Sequence, residues 1–272
     1  MDRNLVLTAR PVAAWRRVPR LGGLLWRLLV PIGLLVLWQV VTALGVFSPS
    51  QLPAPLDVLA TAGELAARQE LAEHILVSVQ RVLLGFAIGA GLATLLGGAV
   101  GLSRQVEDLL SPTLQALRAI PSLAWVPLLV LWMGVDEGPK LTLVAIGAFF
   151  PVYTTFVAGI RQIDRKLIEV GYAYGLTGAS LARQVLLPAA LPSLLTGLRI
   201  GLAQGWLFLV AAELIAASRG LGFLLVDGQN TGRADIIVLS IVLLALIGKL
   251  TDALLQRLER RLLFWADTYK GG

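Results

Sequence analysis

The sequence predicts an all-α polytopic membrane protein with six spans, and three observations carry that prediction. Mean hydropathy is +0.79, with 57% hydrophobic and 15% charged residues over 272 positions. A soluble chain of this size cannot bury so much apolar surface, so lipid must solvate much of it. Charge-free stretches recur, and about 20 apolar residues suffice for a helix to cross a bilayer core. The basic residues, finally, crowd the ends and alternate links.

The elements follow in order. Residues 1–27 carry Arg3, Arg10, Arg16, Arg17, Arg20 and Arg27 against Asp2. A secretory signal also begins this way, but the apolar run that follows is too long for an h-region and lacks a small-residue cleavage site. The segment is expected to stay cytoplasmic, with Trp15, Leu21 and Leu24 against the membrane surface. A first span is expected at 28–46, with Trp26 and Trp38 as interface or packing aromatics. Ser48, Pro49, Pro53 and Pro55 then break the helix. Residues 57–73, with Leu59, Leu65 and Leu71 among polar neighbours, read as an amphipathic helix outside the membrane.

A second span is expected at 79–102. Gly85, Gly89, Gly97 and Gly101 are spaced in multiples of four, which lines small residues along one face for close helix approach. Arg104, Glu107 and Asp108 read as a short turn, with Pro112 opening the next segment. In 113–133, Arg118, Pro121, Trp125 and Pro127 interrupt an apolar stretch, so the span should be broken or kinked. Non-helical backbone at membrane depth survives only where protein or a water-filled path surrounds it. Pro121, Ser122, Trp125 and Pro127 are therefore candidate pathway or gate residues, the alternative being a proline-kinked structural helix.

A fourth span, 140–160, contains Pro151 and a second kink is expected there. The fifth, 190–217, holds Arg199 and Glu213, whose charges should face a bundle interior, water or a headgroup. Glu213 joins the pathway candidates; pairing or a place near the outer surface are its other readings. Residues 221–226 are expected to form a short re-entrant or surface helix. The last span, 235–256, ends among Lys249, Asp252, Arg257, Arg260 and Arg261, where a Lys249–Asp252 salt bridge would relieve burial. Trp265 and Tyr269 follow as interface anchors.

Between the fourth and fifth spans lies a polar stretch with a helical rhythm, residues 164–188. Asp164 can cap a helix carrying Leu167, Ile168, Val170 and Tyr174, and Gly175 allows its stop. Thr177 can cap a second short helix with Leu181, Val185 and Leu187, ended by Pro188. Two small helices with sticky faces suit a grip from outside the bilayer; packing on the chain's own bundle is the other reading.

Charge counting orients the chain. With the amino terminus inside, 1–27, 103–112, 161–189 and 257–272 are cytoplasmic and carry 6, 1, 4 and 4 basic residues. The links 47–78, 134–140 and 218–234 carry 1, 1 and 2, a positive-inside distribution. The +6 formal charge thus belongs to membrane-facing surfaces, and no nucleic-acid partner is expected.

Catalytic chemistry finds no constellation. There is no cysteine, which excludes thiolate chemistry and thiolate metal ligation. The single His74, beside Glu70 and Glu73, lacks a ligand cluster and is expected at the surface. No catalytic, cofactor-binding or metal-ligating residue is assigned. No GxxxxGK[ST] loop is present, so ATP-driven work would need hydrolysis on another subunit.

The run EVGYAYG…VLLP at 169–188 resembles the EAA motif of ABC importer permeases. Glu169 stands at the acidic position, Gly175 at the glycine, and Val185, Leu187 and Pro188 at the closing element; Val170 and Gly171 depart from two alanines. LPAPLDVL near residue 52, IPSLAWVPLLVLWMG at 120–134, FFPVY at 149–153, VAAELIAASRGLGFLL at 210–225 and the terminal LERRLLFW look most like the nitrate/sulfonate/taurine branch, nearest to aliphatic sulfonate permeases. The resemblance implies a six-span type I importer permease bundle (28–261) in a bacterial inner membrane, with cytoplasmic coupling helices and a cytoplasmic tail at 262–272. It implies a second permease copy, two ABC ATPase subunits holding Mg-ATP, a periplasmic or lipid-anchored substrate-binding protein, and membrane lipid. Asp164, Glu169, Gly171, Tyr174, Gly175, Leu187 and Pro188 would form the ATPase-coupling element. Taurine or nitrate are the alternative cargoes. A passive channel or structural subunit would leave the two-helix loop without a role, and a membrane enzyme would need converging polar residues that the spans lack.

Overall fold

The computed structural model describes residues 20–265, with side chains from Leu28 on apart from that of Ala216. The expectations for Trp15, Leu21, Leu24, Trp26 and Tyr269 lie outside the described residues and side chains. Two compact units divide the chain at Pro55. The first holds α1 (Arg20–Ala43). Trp38 Nε1 donates to Pro53 O at 3.0 Å, so this indole packs the proline-rich link back onto its own helix.

The second unit runs α2 (Pro55–Ala67), α3 (Glu70–Leu102), α4 (Arg104–Ala119), a 3-10 turn (Ser122–Ala124), α5 (Trp125–Met133) and α6 (Glu137–Arg161). It continues with α7 (Arg165–Ala173), α8 (Gly178–Leu181), a π turn (Ala182–Leu186), α9 (Leu187–Ala216), α10 (Leu221–Asn230) and α11 (Ala234–Leu262). Among the described residues, Glu70–Leu102, Glu137–Arg161, Gly178–Ile215 and Ala234–Leu262 are each long and apolar enough to cross a membrane. Arg104–Ala119 and Ser122–Met133 together are also long and apolar enough, but they meet at 79°, the geometry of a broken span or a re-entrant loop.

Small residues bring the core helices together. A Cβ on Gly89 would lie 2.2 Å from Ala145 O, and one on Gly101 2.5 Å from Ile160 Cδ1. Gly85 meets Val144 and Gly97 meets Phe156, so the expected glycine face of α3 seats α6 along its length. The other side of α6 receives α9: Gly201 approaches Ala148 O, and Gly159 approaches Ser193. Val82, Val144, Leu202 and Leu209 fill the centre of this three-helix stack.

Four expectations change. The amphipathic helix does not run to residue 73: Gln69 turns left-handed at φ 63°, and Glu70 already starts α3. Leu65 is buried, whereas Leu59 is exposed. The expected turn at 104–108 is helical, because Ser103 Oγ caps α4 at Val106 N–H, and Pro112 sits within it. Pro188 does not end the second loop helix. It occupies the first turn of α9, where its missing N–H is harmless, and the preceding π turn carries the helix through. Of the two readings of residues 221–226, a re-entrant or a surface helix, the surface one falls: Leu221, Gly222 and Leu224 are buried, and α10 packs on α9 and α11.

Polar pairs fasten the remaining elements. Thr61 Oγ1 donates to Asp235 Oδ2 at 2.5 Å, tying α2 to α11. Arg233, in the link before α11, bonds the same carboxylate at 2.7 Å, which raises its guanidinium further above its ordinary pKa. Arg199 bonds Asp252 at 3.0 Å and Glu259 at 3.2 Å, and Lys249 lies 3.7 Å from Asp252, as the close spacing of those two predicts.

Candidate functional site

The stretch 164–188 folds as two short helices braced against each other. Asp164 Oδ1 accepts from Lys166 N–H at 2.9 Å and starts α7. At the other end Gly175 takes φ +76°, open only to glycine at low cost. Its N–H reaches Tyr172 O at 2.9 Å, while Leu176 N–H reaches Gly171 O at 3.0 Å. That pair of bonds is a Schellman stop, which satisfies carbonyls the helix end leaves free. Thr177 and Ser180 then form a reciprocal capping box at the start of α8.

Gly171 fixes the two short helices to each other. A Cβ there would meet Leu181 Cδ1 at 2.5 Å and Val185 Cγ2 at 3.3 Å. Leu181 is buried beneath it. From Leu181 the chain passes through the π turn into α9 without a hinge loop, and Leu187 joins Ile163 in packing against Phe156, Ile160 and Ala190. A force on α7 therefore reaches α6 and α9 through packed side chains.

Leu167, Val170 and Tyr174 share one exposed face of this pair at helical spacing, and Tyr174 is 82% exposed. Glu169 is exposed and pairs with Arg165 at 3.1 Å. Pro188 is exposed and Leu187 half-buried. The structure thus gathers Asp164, Glu169, Gly171, Tyr174 and Gly175 on α7 and its two ends, with Leu187 and Pro188 at the root of α9.

Pro121, Ser122, Trp125 and Pro127 meet at the break between α4 and α5. Pro121 begins the 3-10 turn and is exposed, as is Pro127; Ser122 and Trp125 are half-buried. Val126 and Leu129 anchor α5 against Leu143 of α6 and Ala212 of α9.

Glu213 stands elsewhere, 1% exposed in a polar cluster at the end of the bundle away from 164–188. Its carboxylate accepts from Ser78 Oγ, Arg81 Nη1 and Gly222 N–H, each at 2.8 Å. Ser78 Oγ in turn accepts from Leu221 N–H at 2.8 Å. Arg81 also bonds both oxygens of Glu137 at 2.6 Å, and Lys140 stands 3.3 Å from that carboxylate. His74 is not a simple surface residue: its Nδ1 accepts from Gly220 N–H at 3.0 Å and its ring stacks on Phe223. Arg81, Ser78 and Gly220 were not legible as site residues; the available signal was a lone arginine at the edge of a charge-free run, which needs a buried partner.

Among the described residues, no group of three or more His, Asp or Glu side chains could hold a metal ion.

Comparison with known proteins adds four findings. Residues 85–264 match the family described as binding-protein-dependent transport system inner membrane component. The chain is 42% identical over 244 residues to the putative aliphatic sulfonates transport permease protein SsuC of Bacillus subtilis, covering 90% of this chain and 88% of that protein. It is 37% identical over 237 residues to the taurine transport system permease protein TauC of Escherichia coli, covering 85% and 86%. Among solved structures, an inward-facing MetNI methionine ABC transporter chain matches with TM-score 0.64 at 19% identity, over 72% of this chain and 98% of that one.

Proposed function

The chain belongs to the family of binding-protein-dependent transport system inner membrane components, a multi-pass permease component of an ABC importer, and from that premise we propose that its cargo is an aliphatic sulfonate. The 42% identity to SsuC supports this cargo over the taurine suggested by TauC. Two copies of the chain form the path, within membrane lipid. Two ATPase subunits dock on the face that carries 164–188, with Mg-ATP bound on them, and a substrate-binding protein delivers cargo from the other side. Both termini are cytoplasmic in this reading, with 1–27 and 262–272 flanking the spans.

One observation carries the mechanism: α7 is locked through Gly171 onto a helix continuous with α9 while Leu167, Val170 and Tyr174 stay exposed. ATP binding closes the ATPase pair, the two copies of 164–188 move with it as levers, and α6 and α9 rock as bodies. The path alternates between its two openings, with the break at 121–127 as the segment that yields. Such coupling needs a rigid element whose position both sites bias, and the braced lever is one. Hydrolysis takes place on the partner, not on this chain.

The test is receptor-dependent uptake into vesicles containing the full complex, with ethanesulfonate, taurine and nitrate as cargo. ATP-driven ethanesulfonate import is expected. Import of taurine or nitrate alone would reassign the cargo, and entry without ATP or receptor would favour a passive channel.

A further inference from the structure

We infer that the groove enclosed by α3, α4 and α6 is an amphiphile site, which takes the alkyl chain of a sulfonate while Arg118 takes its anionic head. The inference rests on the sulfonate reading above and deepens it.

The groove has a volume of about 370 Å³, within the usual range of small-molecule sites of ~300–1,000 Å³. Ile88 and Leu92 of α3, Leu114 and Leu117 of α4, and Ile146 and Phe149 of α6 line it. Thr142 is the one hydroxyl in the lining, and it is turned to Met133 Sδ at 3.7 Å. Such walls offer an alkyl chain contact and offer a sulfonate nothing.

Arg118 supplies what the walls lack. It follows the lining residue Leu117 directly and lies one turn from Leu114, which puts it beside the groove at the end of α4 rather than in its wall. It is exposed. Of the cations within the expected spans, Arg81 pairs with Glu137 and Glu213, Lys140 with Glu137, Arg199 with Asp252 and Glu259, and Lys249 with Asp252. Arg118 has no acidic partner among the described residues. Its place in the last turn of α4 favours a cation, but an unpaired guanidinium at membrane depth requires water or an anion beside it. The 79° break that holds Pro121 and Ser122 begins just beyond it, so the cation borders the segment assigned to the gate. A short apolar trough with an unpaired arginine one residue beyond its lining residue Leu117 complements a small alkyl anion. A phospholipid shares that chemistry and is the occupant the test must separate.

Permease–ATPase complex in nanodiscs, without receptor or nucleotide, is titrated with ethane-, butane-, hexane- and octanesulfonate by calorimetry, with empty nanodiscs subtracted. Affinity is expected to rise about fourfold per methylene until the groove is filled, the fold-change corresponding to ~0.8 kcal/mol per buried CH₂. Arg118→Gln should weaken hexanesulfonate at least tenfold, and Arg118→Lys should recover most of that loss. Leu117→Trp, at a partly exposed position, should flatten the chain-length dependence. The chain-length series on the unmodified complex stands even if a variant fails to assemble. No chain-length dependence above empty nanodiscs, equal affinities for the unmodified complex and Arg118→Gln, or a co-purified phospholipid that hexanesulfonate cannot displace would each overturn the site. If receptor-dependent ethanesulfonate uptake persists in those cases, only the groove assignment falls; if uptake itself is absent, the cargo assignment falls.

Discussion

Glu213 and Arg81, 132 residues apart in sequence, meet at 2.8 Å, with the carboxylate side chain fully buried and the guanidinium side chain 5% exposed. Both ions have left water, and the geometry offsets that cost only because Ser78, Gly222 and Glu137 satisfy the remaining donors and acceptors. The pair knits α3, α6, α9 and the start of α10 into one cap.

Removing the guanidinium should therefore be severe. Arg81→Met alone is expected to cost about 3–5 kcal/mol, since it leaves the buried Glu213 carboxylate without a counter-charge; Glu213→Leu should cost less, because Arg81 keeps its bidentate pair with Glu137. The double variant should lose less than the sum of the two singles. Thermal unfolding of the purified complex in detergent measures all three.

Two glycine-to-alanine changes should differ in sign. Gly220 has φ +120°, and a Cβ there would sit 2.2 Å from Glu213 Oε1. Gly220→Ala is expected to destabilise by about 2 kcal/mol or more. Gly63, exposed on α2 with nothing near, should gain up to ~1 kcal/mol as alanine. The same unfolding assay compares them.

The α3–α6 contact gives a second contrast. Gly89→Val drives a side chain into Ala145 backbone and should prevent accumulation of folded protein in the membrane, whereas Gly91→Val meets open space and should accumulate normally. Fluorescence-detected size exclusion of tagged protein reports both.

Much of this was legible in the sequence, and the reasons for the misses are physical. Glycines at multiples of four announced a close-packed face on α3 because close approach requires small residues at that period, though not that α6 would fill it. Asp164, Gly175 and Thr177 announced the lever because caps and left-handed turns are local chemistry. The boundary at Gln69 was hidden, since a non-glycine residue with positive φ carries little sequence signal. Pro188 misled because proline ends a helix when it sits inside, yet suits a first turn, and the π turn before it has no compositional signature. The partner of Glu213 was hidden by distance along the chain: long-range ion pairs leave no periodicity.

Gly171 tests the brace itself. Gly171→Leu should separate α7 from Leu181 and Val185, and the assembled complex should keep basal ATPase while losing at least tenfold of its receptor-stimulated increment. Adding Leu181→Ala should restore part of it, by returning the space.

The proposed coupling requires motor force to enter through the exposed face of α7, and the absence of cysteine in the chain makes that directly testable. Tyr174→Cys, placed in the assembled complex and treated with a short cysteine-directed photo-cross-linker, is expected to capture the ATPase subunit, with a yield that changes on ATP binding. Capture of the substrate-binding protein instead, or none of the ATPase in a complex that still transports, would contradict it.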